Sequence, residues 1–298
     1  TGFPKGALLT HAGMLANSWG ITARLKVTVE DRWTSIIPLF HCAGCIMCVL
    51  GTLQRGSCYV GVPSFSPTEM FKIVEGERCT MLSGVPTSHI AMLQHPERAN
   101  FDLSTLRAGT CGGADTDPEL LRRCAEELPL PGIVQVYGQT EASTLISLAD
   151  CAAPERFDTC GPPLPGAEVR ITNPENGIEV PIGQIGQIET SGPMVMRGYY
   201  GNKDATTETI GDDGWMRTGD LGYLTEDGNI VIAGGRLRDM IIRGGENIYP
   251  VEIENILRTH PAVSDIAVFA VSDKYYGEIV GAAVNLAENV AAGDLRAY

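Results

Sequence analysis

An aspartate and an arginine sixteen residues apart carry side chains suited to holding a sugar with neighbouring hydroxyls. Asp220 ends the run GWMRTGD, and Arg236 follows a pair of glycines. A carboxylate accepts hydrogen bonds from two hydroxyls, and a guanidinium donates to hydroxyl or phosphate oxygens. The pair therefore indicates a nucleotide sugar bound between one acceptor and one donor. The alternative is an ordinary turn at each position.

Three further segments accompany this pair. They read TGFPKG at residues 1–6, YGQTE at 137–141 and RGGENIYP at 243–250. In this order the segments resemble the acyl-adenylate-forming (AMP-binding) superfamily, which includes acyl-CoA synthetases, adenylation domains of peptide synthetases and beetle luciferases. The last segment has the form common in acyl- and aryl-CoA ligases. The resemblance extends over nearly the whole chain.

The chain departs from the family pattern at both ends. The Ser/Thr/Gly run that opens the family's phosphate loop is absent, and so is the Gly-Lys segment that carries the catalytic lysine. Lys274 is the last lysine and lies in a different context. We therefore expect the central part of a longer enzyme.

The resemblance implies a two-step reaction. A carboxylate attacks the α-phosphate of ATP, which gives an acyl-adenylate and pyrophosphate. A thiol, usually that of coenzyme A, then attacks the acyl carbon and releases AMP. The implied cofactors are ATP, Mg²⁺ and coenzyme A, and the implied partner is a carboxylic acid. The protein must neutralise phosphate charge and position the reactants.

The resemblance assigns phosphate binding to two of the segments. In the first, glycines let backbone amides approach phosphate oxygens and a lysine adds positive charge; its residues are Thr1, Gly2, Lys5 and Gly6. In the second, Thr140 would donate its hydroxyl to the α-phosphate, and Glu141 would bind Mg²⁺. The alternatives are a surface turn for the first and a helix start capped by Thr140 for the second.

The same resemblance places the adenine and the acyl group. Adenine would lie against Gly112-Gly113-Ala114 and the ring of Tyr137, for which a buried core tyrosine is the alternative. Gly138 would serve both the nucleotide site and the acyl pocket. His41 would border that pocket, or be a satisfied core histidine.

The resemblance gives three residues roles at the start of a small C-terminal domain, which is predicted to move. Arg238 occupies the family's hinge position, about which that domain swings between the two half-reactions. Gly244 and Gly245 would line the tunnel for the pantetheine arm, where a side chain would obstruct it. An ordinary turn is the alternative reading of the two glycines.

Local signals predict individual elements. Thr10 and Asp117 would begin helices, residues 66–69 form a capping box, and 34–37 is a short apolar strand. Residues 226–229 predict a hairpin turn, and after residue 238 the sequence predicts a strand at 240–242, a helix at 250–259 and a strand at 266–271.

Helix and strand signals alternate through residues 1–150, and short strands with Gly and Pro turns fill 160–235. The first pattern predicts a parallel sheet covered by helices, and the second predicts a β-rich, barrel-like module. We therefore predict an α/β fold with a large domain over 1–237. The start of a small mobile α+β domain would follow over 238–298. Both domains would be truncated.

Composition excludes several classes of protein. The net charge of −14 disfavours nucleic acid and anionic membranes as partners. No apolar run has the length of a membrane span. Nine cysteines without a small-scaffold pattern indicate reduced thiols in a cytoplasmic protein. The oligomeric state is left open.

Three of these cysteines, Cys42, Cys45 and Cys48, recur at every third position within a largely apolar segment. The spacing allows a metal site, but no fourth ligand stands out. Small buried apolar side chains are the favoured interpretation.

Other functions fit parts of the pattern. An adenylating enzyme could load a carrier-protein phosphopantetheine or an amine instead of coenzyme A. A truncated non-catalytic nucleotide-binding protein would explain the missing lysine segment, and a luciferase-type oxidoreductase would share the fold. Nothing in the sequence identifies the carboxylic acid.

Overall fold

The computed structural model describes residues 4–114, 116–236, 241–243, 246–273 and 277–287. Several predicted site residues lie outside these ranges, namely Thr1, Gly2, Arg238, Gly244 and Gly245. Their assigned roles stay predictions.

Six strands form the first sheet, in the order β2-β1-β3-β4-β5-β6. They are β1 Arg32–Ser35, β2 Cys58–Val60, β3 Met81–Gly84, β4 Ala108–Gly112, β5 Gly132–Tyr137 and β6 Ser147–Leu148. The first five pair in parallel, and β6 pairs antiparallel with β5. The predicted parallel sheet is confirmed.

Five α-helices accompany this sheet: α1 His11–Arg24, α2 Gly51–Arg55, α3 Pro67–Gly76, α4 Pro86–Gln94 and α5 Pro118–Glu127. Local side chains begin α1 and α5 as predicted, since Thr10 Oγ1 accepts from Gly13 N at 2.9 Å and Asp117 Oδ1 accepts from Glu119 N at 2.9 Å. At α3 the predicted capping box is half formed. Ser66 caps the helix, but the Glu69 carboxylate pairs with Lys72 Nζ at 2.8 Å.

Two hydrophobic clusters hold α1, α3, α4 and α5 on the sheet. One includes Phe71 of α3, Met92 of α4 and Leu121 of α5. The other includes Ile21 of α1, Trp33 of β1 and Met47. Each cluster also contains strand residues, so the sheet supplies core to both sets of helices.

Met47 belongs to a π-helix over Ala43–Leu50 that continues into α2. Cys42 and Cys48 are buried, but Cys45 is exposed. The prediction of buried cysteines is therefore right for two of the three and wrong for Cys45, which this helix turns outward. Among the described residues, no group of His, Cys, Asp and Glu side chains is arranged to hold a metal ion by itself.

A second sheet contains four strands in the order β10-β9-β8-β7. They are β7 Glu168–Thr172, β8 Gly186–Ser191, β9 Met216–Leu224 and β10 Ile230–Arg236, with the short helix α6 at Lys203–Thr209. Between β9 and β10, Gly228 N donates to Thr225 O and Thr225 N donates to Asn229 O, each at 2.9 Å. The hairpin turn predicted here is confirmed.

A third sheet, in the order β12-β11-β14-β13, is antiparallel throughout. Its strands are β11 Ile241–Arg243, β12 Glu246–Ile248, β13 Val263–Asp273 and β14 Gly277–Leu286, and helix α7 covers Pro250–Arg258. Ile241, Val263, Ile266 and Val268 form its core. The predicted order of strand, helix and strand is confirmed, whereas β14 was not predicted.

The chain divides into two compact units. The first comprises Thr1–Arg170, Glu189–Thr218 and Leu224–Val231; the second comprises Ile171–Ile188, Gly219–Tyr223 and Ile232–Tyr298. The predicted domain boundary after residue 237 stays a prediction.

Strand β1 differs from its predicted position at 34–37. It ends at Ser35, because the Ser35 hydroxyl accepts a hydrogen bond from Ile37 N at 3.1 Å and turns the chain. Within the described part of the chain, none of the helices combines the length and apolarity that a membrane crossing needs.

Candidate active site

Neighbouring parallel strands bring several predicted site residues to one edge of the first sheet. In the register of β4 and β5, Gly112 lies opposite Val136, so both strands end together. Gly113 and Ala114 follow β4, and the YGQTE segment follows β5. Ligands of open α/β sheets bind beyond such carboxyl ends.

Gly138 begins the turn after β5 and packs against a later part of the same loop. A Cβ at this position would lie 2.1 Å from Thr144 O and 2.5 Å from Leu145 Cα. Only glycine permits this close approach of two backbones. Steric crowding by Thr144 and Leu145 therefore explains why this position is a glycine. The ligand role predicted for Gly138 is a separate matter.

The loop that follows is fixed from α1 by Asn17, which is fully buried. Its Nδ2 donates to Leu145 O at 2.6 Å and to Ala142 O at 3.2 Å, and its Oδ1 accepts from Leu145 N at 3.2 Å. The sequence analysis missed this residue. A polar residue on the buried face of a helix is the signal that could have revealed it.

Two residues between these anchor points have unusual backbones. Ser143 has φ of 57° and Thr144 has φ of 134°, although neither is glycine. Ser143 Oγ donates to Met194 O at 2.7 Å, and Thr144 Oγ1 donates to Cys42 O at 3.2 Å. Such backbones cost roughly 1–3 kcal/mol each and are found at functional sites. The two buried hydroxyl contacts help to hold the strained loop in place.

Thr140 and Glu141 lie in a single 3₁₀ turn, Thr140–Ala142, rather than at the start of a longer helix. Thr140 is exposed, and its Oγ1 lies 3.6 Å from Cys42 Sγ. Glu141 is half-buried. A hydroxyl and a carboxylate therefore stand side by side at the carboxyl edge of the sheet.

The Glu141 carboxylate has a partner that the sequence did not suggest. Tyr199 Oη donates to Glu141 Oε1 at 2.6 Å. Burial, the hydrogen bond to Glu141 and the charge of Glu141 raise the pKa of Tyr199 to about 12. The phenol is consequently neutral, and a hydrogen-bond donor, at physiological pH.

Lys5 contacts the ring of the same tyrosine. Its Nζ lies 4.3 Å from the centroid of the Tyr199 ring, a cation–π distance. Backbone pairing sets this contact, because Tyr200 N donates to Gly6 O at 2.7 Å and Leu8 N donates to Gly198 O at 2.9 Å. Lys5 and Glu141, which are far apart in sequence, therefore meet through one side chain.

The adenine segment has two parts. Gly112 is buried, and a Cβ there would lie 2.7 Å from Val136 O, so its missing side chain makes room for the neighbouring strand. Gly113 and Ala114 are exposed and can face a ligand. Tyr137 is 8% exposed and accepts a hydrogen bond from Ile146 N at its carbonyl. Only a small part of its side chain is open to a ligand.

His41 follows β1 and is exposed, so it is not the core histidine that the sequence allowed. Its Nδ1 accepts a hydrogen bond from Ala43 N at 3.1 Å at the start of the π-helix. Its Nε2 edge has no hydrogen bond among the described residues. The role of His41 beside an acyl group stays a prediction.

The two sugar-binding candidates lie on adjacent strands of the second sheet. Asp220 is half-buried within β9, and Arg236 is the last residue of β10. Both belong to the second compact unit. The hairpin predicted between them is present, which makes the predicted pairing possible.

Glu141 also suits a magnesium ion. Tyr199 occupies Oε1, and Oε2 has no hydrogen-bond partner among the described residues. Protein sites for Mg²⁺ commonly supply one or two carboxylates, while water and substrate phosphates complete the octahedron. A single half-buried carboxylate, joined to a lysine through the Tyr199 side chain, fits this kind of site.

Comparison with known proteins identifies the family. Residues 1–200 match the AMP-binding enzyme family, and residues 252–298 match the AMP-binding enzyme C-terminal domain. The first match alone covers more than half of the chain. The chain therefore belongs to the AMP-binding enzyme family.

Individual relatives agree with this assignment. The putative acyl-CoA synthetase YngI of Bacillus subtilis is 44% identical over 302 residues, which cover 100% of this chain and 55% of YngI. The structure of o-succinylbenzoate CoA synthetase (MenE) from Bacillus subtilis, in complex with the acyl-adenylate intermediate OSB-AMP, matches with a TM-score of 0.85. The two are 32% identical, and the match covers 99% of this chain and 59% of MenE.

Amide bond synthetase McbA from Marinactinospora thermotolerans also matches, with a TM-score of 0.85 and 32% identity, over 100% of this chain and 60% of McbA. The chain spans about half the length of the curated relatives it matches.

Proposed function

We propose that the protein activates a carboxylic acid with ATP. The carboxylate oxygen bonds to the α-phosphorus and pyrophosphate leaves, which gives an acyl-adenylate. The thiol of coenzyme A then attacks the acyl carbon, loses its proton and displaces AMP. The chain's membership of the AMP-binding enzyme family and its likeness to YngI, a putative acyl-CoA synthetase, support this reaction.

The contact of Tyr199 with both Glu141 and Lys5 is the observation that carries the proposal. It gathers a carboxylate and a cation at the edge where Thr140 is exposed. Adenylation needs negative charge on the phosphates to be neutralised as the acid approaches. Thr140 would donate to the α-phosphate and Lys5 would attract the phosphate oxygens.

Glu141 is proposed to hold Mg²⁺ through Oε2. When bound, the ion would neutralise charge on the phosphate oxygens. Glu141 is suited to this task because its loop is anchored by Asn17 and its other oxygen is already bonded. A carboxylate with one fixed oxygen presents the second in a defined direction.

The nucleoside is proposed to bind through separate residues. The Asp220 carboxylate would accept from both ribose hydroxyls, and Arg236 would donate to the same sugar. Gly113, Ala114 and the exposed edge of Tyr137 would contact adenine, with Thr1, Gly2 and Gly112 contributing backbone as the family resemblance implies.

The second half-reaction is assigned on the resemblance. His41 and Gly138 would border the acyl group, Arg238 would be the hinge, and Gly244 and Gly245 would line the path of the pantetheine thiol. Carrier-protein phosphopantetheine is an alternative acceptor.

An amine acceptor is the second candidate. McbA, which matches at the same TM-score as MenE, is named an amide bond synthetase. Both acceptors follow the same adenylation step. They differ in the nucleophile that attacks the adenylate, so the acceptor is tested separately.

The nine free cysteines support a reducing compartment, and we propose the cytoplasm. Medium-chain and aromatic acids are the first to test.

The experiment uses the native polypeptide as its gene encodes it. ATP–pyrophosphate exchange with a panel of carboxylic acids should show exchange that depends on one class of acid. Coenzyme A and simple amines are then supplied separately, and thioester and amide are measured. Acid-independent exchange, or none with any acid, would contradict the adenylation proposal.

A further inference from the structure

We propose that Tyr199 is a positioning residue that orients Glu141 for its cation and thereby sets the affinity of the site for Mg²⁺ with ATP. This inference rests on the proposed function. It concerns a residue outside the motif segments, between β8 and α6, to which the sequence pattern assigned no role.

The contact itself is the first step of the argument. At 2.6 Å, the bond from Tyr199 Oη to Glu141 Oε1 has the length of a charge-assisted O–H···O⁻ hydrogen bond. No other described side chain hydrogen-bonds this carboxylate. The backbone of Glu141 is fixed separately, since Met196 N donates to its carbonyl at 2.7 Å. Without Tyr199 the loop would remain anchored, but the carboxylate could rotate.

The tyrosine is held firmly enough to serve as a reference point. It is 7% exposed, and its backbone N donates to Thr206 Oγ1 at 2.8 Å. Thr206 Oγ1 in turn donates to Asn202 O at 2.7 Å. The backbone of Tyr199 is therefore tied to α6, and burial restricts the movement of its ring. Preorganised ligands bind metal ions better than mobile ones.

Lys5 gives the arrangement a second purpose. Its ammonium lies over the Tyr199 ring rather than against the Glu141 carboxylate. A direct ion pair would occupy the oxygen that the cation needs. Lys5 contacts the ring and forms no ion pair with Glu141, so Oε2 stays open to a cation.

The test compares Tyr199→Phe with Tyr200→Phe in the native polypeptide. Phenylalanine keeps the ring beneath Lys5 and removes the hydroxyl that donates to Glu141. Tyr200 is 78% exposed and uses its backbone, not its hydroxyl, to contact Gly6, which makes it a matched control. Mn²⁺ binding in the presence of saturating ATP is followed by electron paramagnetic resonance, and the Mg²⁺ dependence of pyrophosphate exchange is measured alongside.

We expect Tyr199→Phe to raise the Mn²⁺ dissociation constant and the half-saturating Mg²⁺ concentration by about tenfold, a change of about 1.4 kcal/mol. The Michaelis constant for the carboxylic acid should stay within about twofold, and Tyr200→Phe should match wild type. Circular dichroism and thermal midpoints check folding. If Tyr199→Phe does not fold, Tyr199→Met fills the space without a donor and takes its place.

The Glu141→Gln variant distinguishes a failure of the positioning role of Tyr199 from a failure of Glu141 as the cation ligand. If Glu141→Gln weakens Mn²⁺ binding but Tyr199→Phe leaves it within twofold of wild type, the positioning role is wrong and the proposed function survives. If neither change weakens binding, Glu141 is not the cation ligand, and both the inference and that part of the proposed function fail.

Discussion

Asn17 and Leu145 pair through the same two groups that join neighbouring strands. The Asn17 side-chain amide donates to Leu145 O at 2.6 Å and accepts from Leu145 N at 3.2 Å, in full burial. The side chain of Asn17 on α1 thus makes the two hydrogen bonds that the backbone of an adjacent strand would otherwise make. It thereby holds the loop that carries Thr140 and Glu141. The site depends on this contact, although Asn17 lies on a helix outside that loop.

Asn17→Ala should therefore damage both stability and activity. It leaves the carbonyl and amide of Leu145 buried without partners, at roughly 1–3 kcal/mol for each unsatisfied group. We expect a lower free energy of unfolding in urea and slower pyrophosphate exchange with little change in the Michaelis constant for the acid. Leu15→Ala, an exposed change on the same helix, is the control. Wild-type exchange by a folded Asn17→Ala variant would show that the loop needs no such anchor.

A second buried contact fixes the opposite, amino-terminal edge of the first sheet. Arg107 binds both carboxylate oxygens of Asp31, through Nε at 2.7 Å and a terminal nitrogen at 2.5 Å. Asp31 is 3% exposed and also accepts from Thr28 N and Thr80 Oγ1. The pair lies just before β1 and β4 and joins their starts.

Arg107→Ala should destabilise the fold without altering the site directly. Removing one partner of a buried ion pair costs roughly 3–5 kcal/mol, and the lower end applies because Arg107 is partly exposed. Arg32→Ala, which removes an exposed ion pair with Glu77, should cost less than about 1 kcal/mol. Urea unfolding of both variants measures the difference. Equal losses of unfolding free energy in the two variants would contradict the claim that the buried Arg107–Asp31 pair stabilises the fold more than the exposed pair does.

The same pair predicts a pH dependence. Burial alone would raise the pKa of Asp31, but the bonds from Arg107, Thr28 and Thr80 outweigh it and hold the pKa below the ordinary range. A depressed carboxyl pKa contributes stability above the unfolded-state value and loses it as the pH falls through the folded value. The gap in unfolding free energy between wild type and Asp31→Asn should therefore shrink on acidification below about pH 4. A gap that stays constant would contradict this.

Local features of the fold could be predicted from the sequence, because the interactions that cause them are local. Thr10 and Asp117 cap helices within three residues of themselves, and the turn from Thr225 to Asn229 closes its own hairpin. The parallel sheet followed from alternating helix and strand signals. Strand β6, with only two residues, and strand β14, whose apolar residues do not alternate regularly with polar ones, gave no comparable signal.

The contacts that complete the site could not be predicted, because they join distant segments. Tyr199 meets Glu141 across 58 residues, and Asn17 meets Leu145 across 128. Nothing in the residues around Tyr199 marks it as the partner of a carboxylate. Cys45 illustrates the converse, since its apolar neighbourhood suggested burial but the helix exposes it.

The ribose assignment predicts a specific loss of nucleotide affinity. Asp220→Ala removes a charged acceptor worth roughly 1.5–3 kcal/mol, so the dissociation constant for ATP should rise about tenfold or more. Asp227→Ala, in the exposed turn between β9 and β10, is the control and should bind normally. Calorimetric titration with ATP measures the dissociation constants of both variants. An unchanged affinity for ATP in Asp220→Ala would contradict the ribose assignment.

ATP–pyrophosphate exchange by Glu141→Ala, beside wild type, tests the central claim most directly. The change should leave the fold intact, since the backbone of this loop is held by Asn17. Loss of the cation ligand should slow exchange by roughly 10²-fold or more, because metal ions supply several kcal/mol of charge stabilisation. Glu126→Ala, an exposed acid on α5, should exchange like wild type. Exchange by folded Glu141→Ala at a rate near wild type would contradict the claim that this turn is the adenylation site.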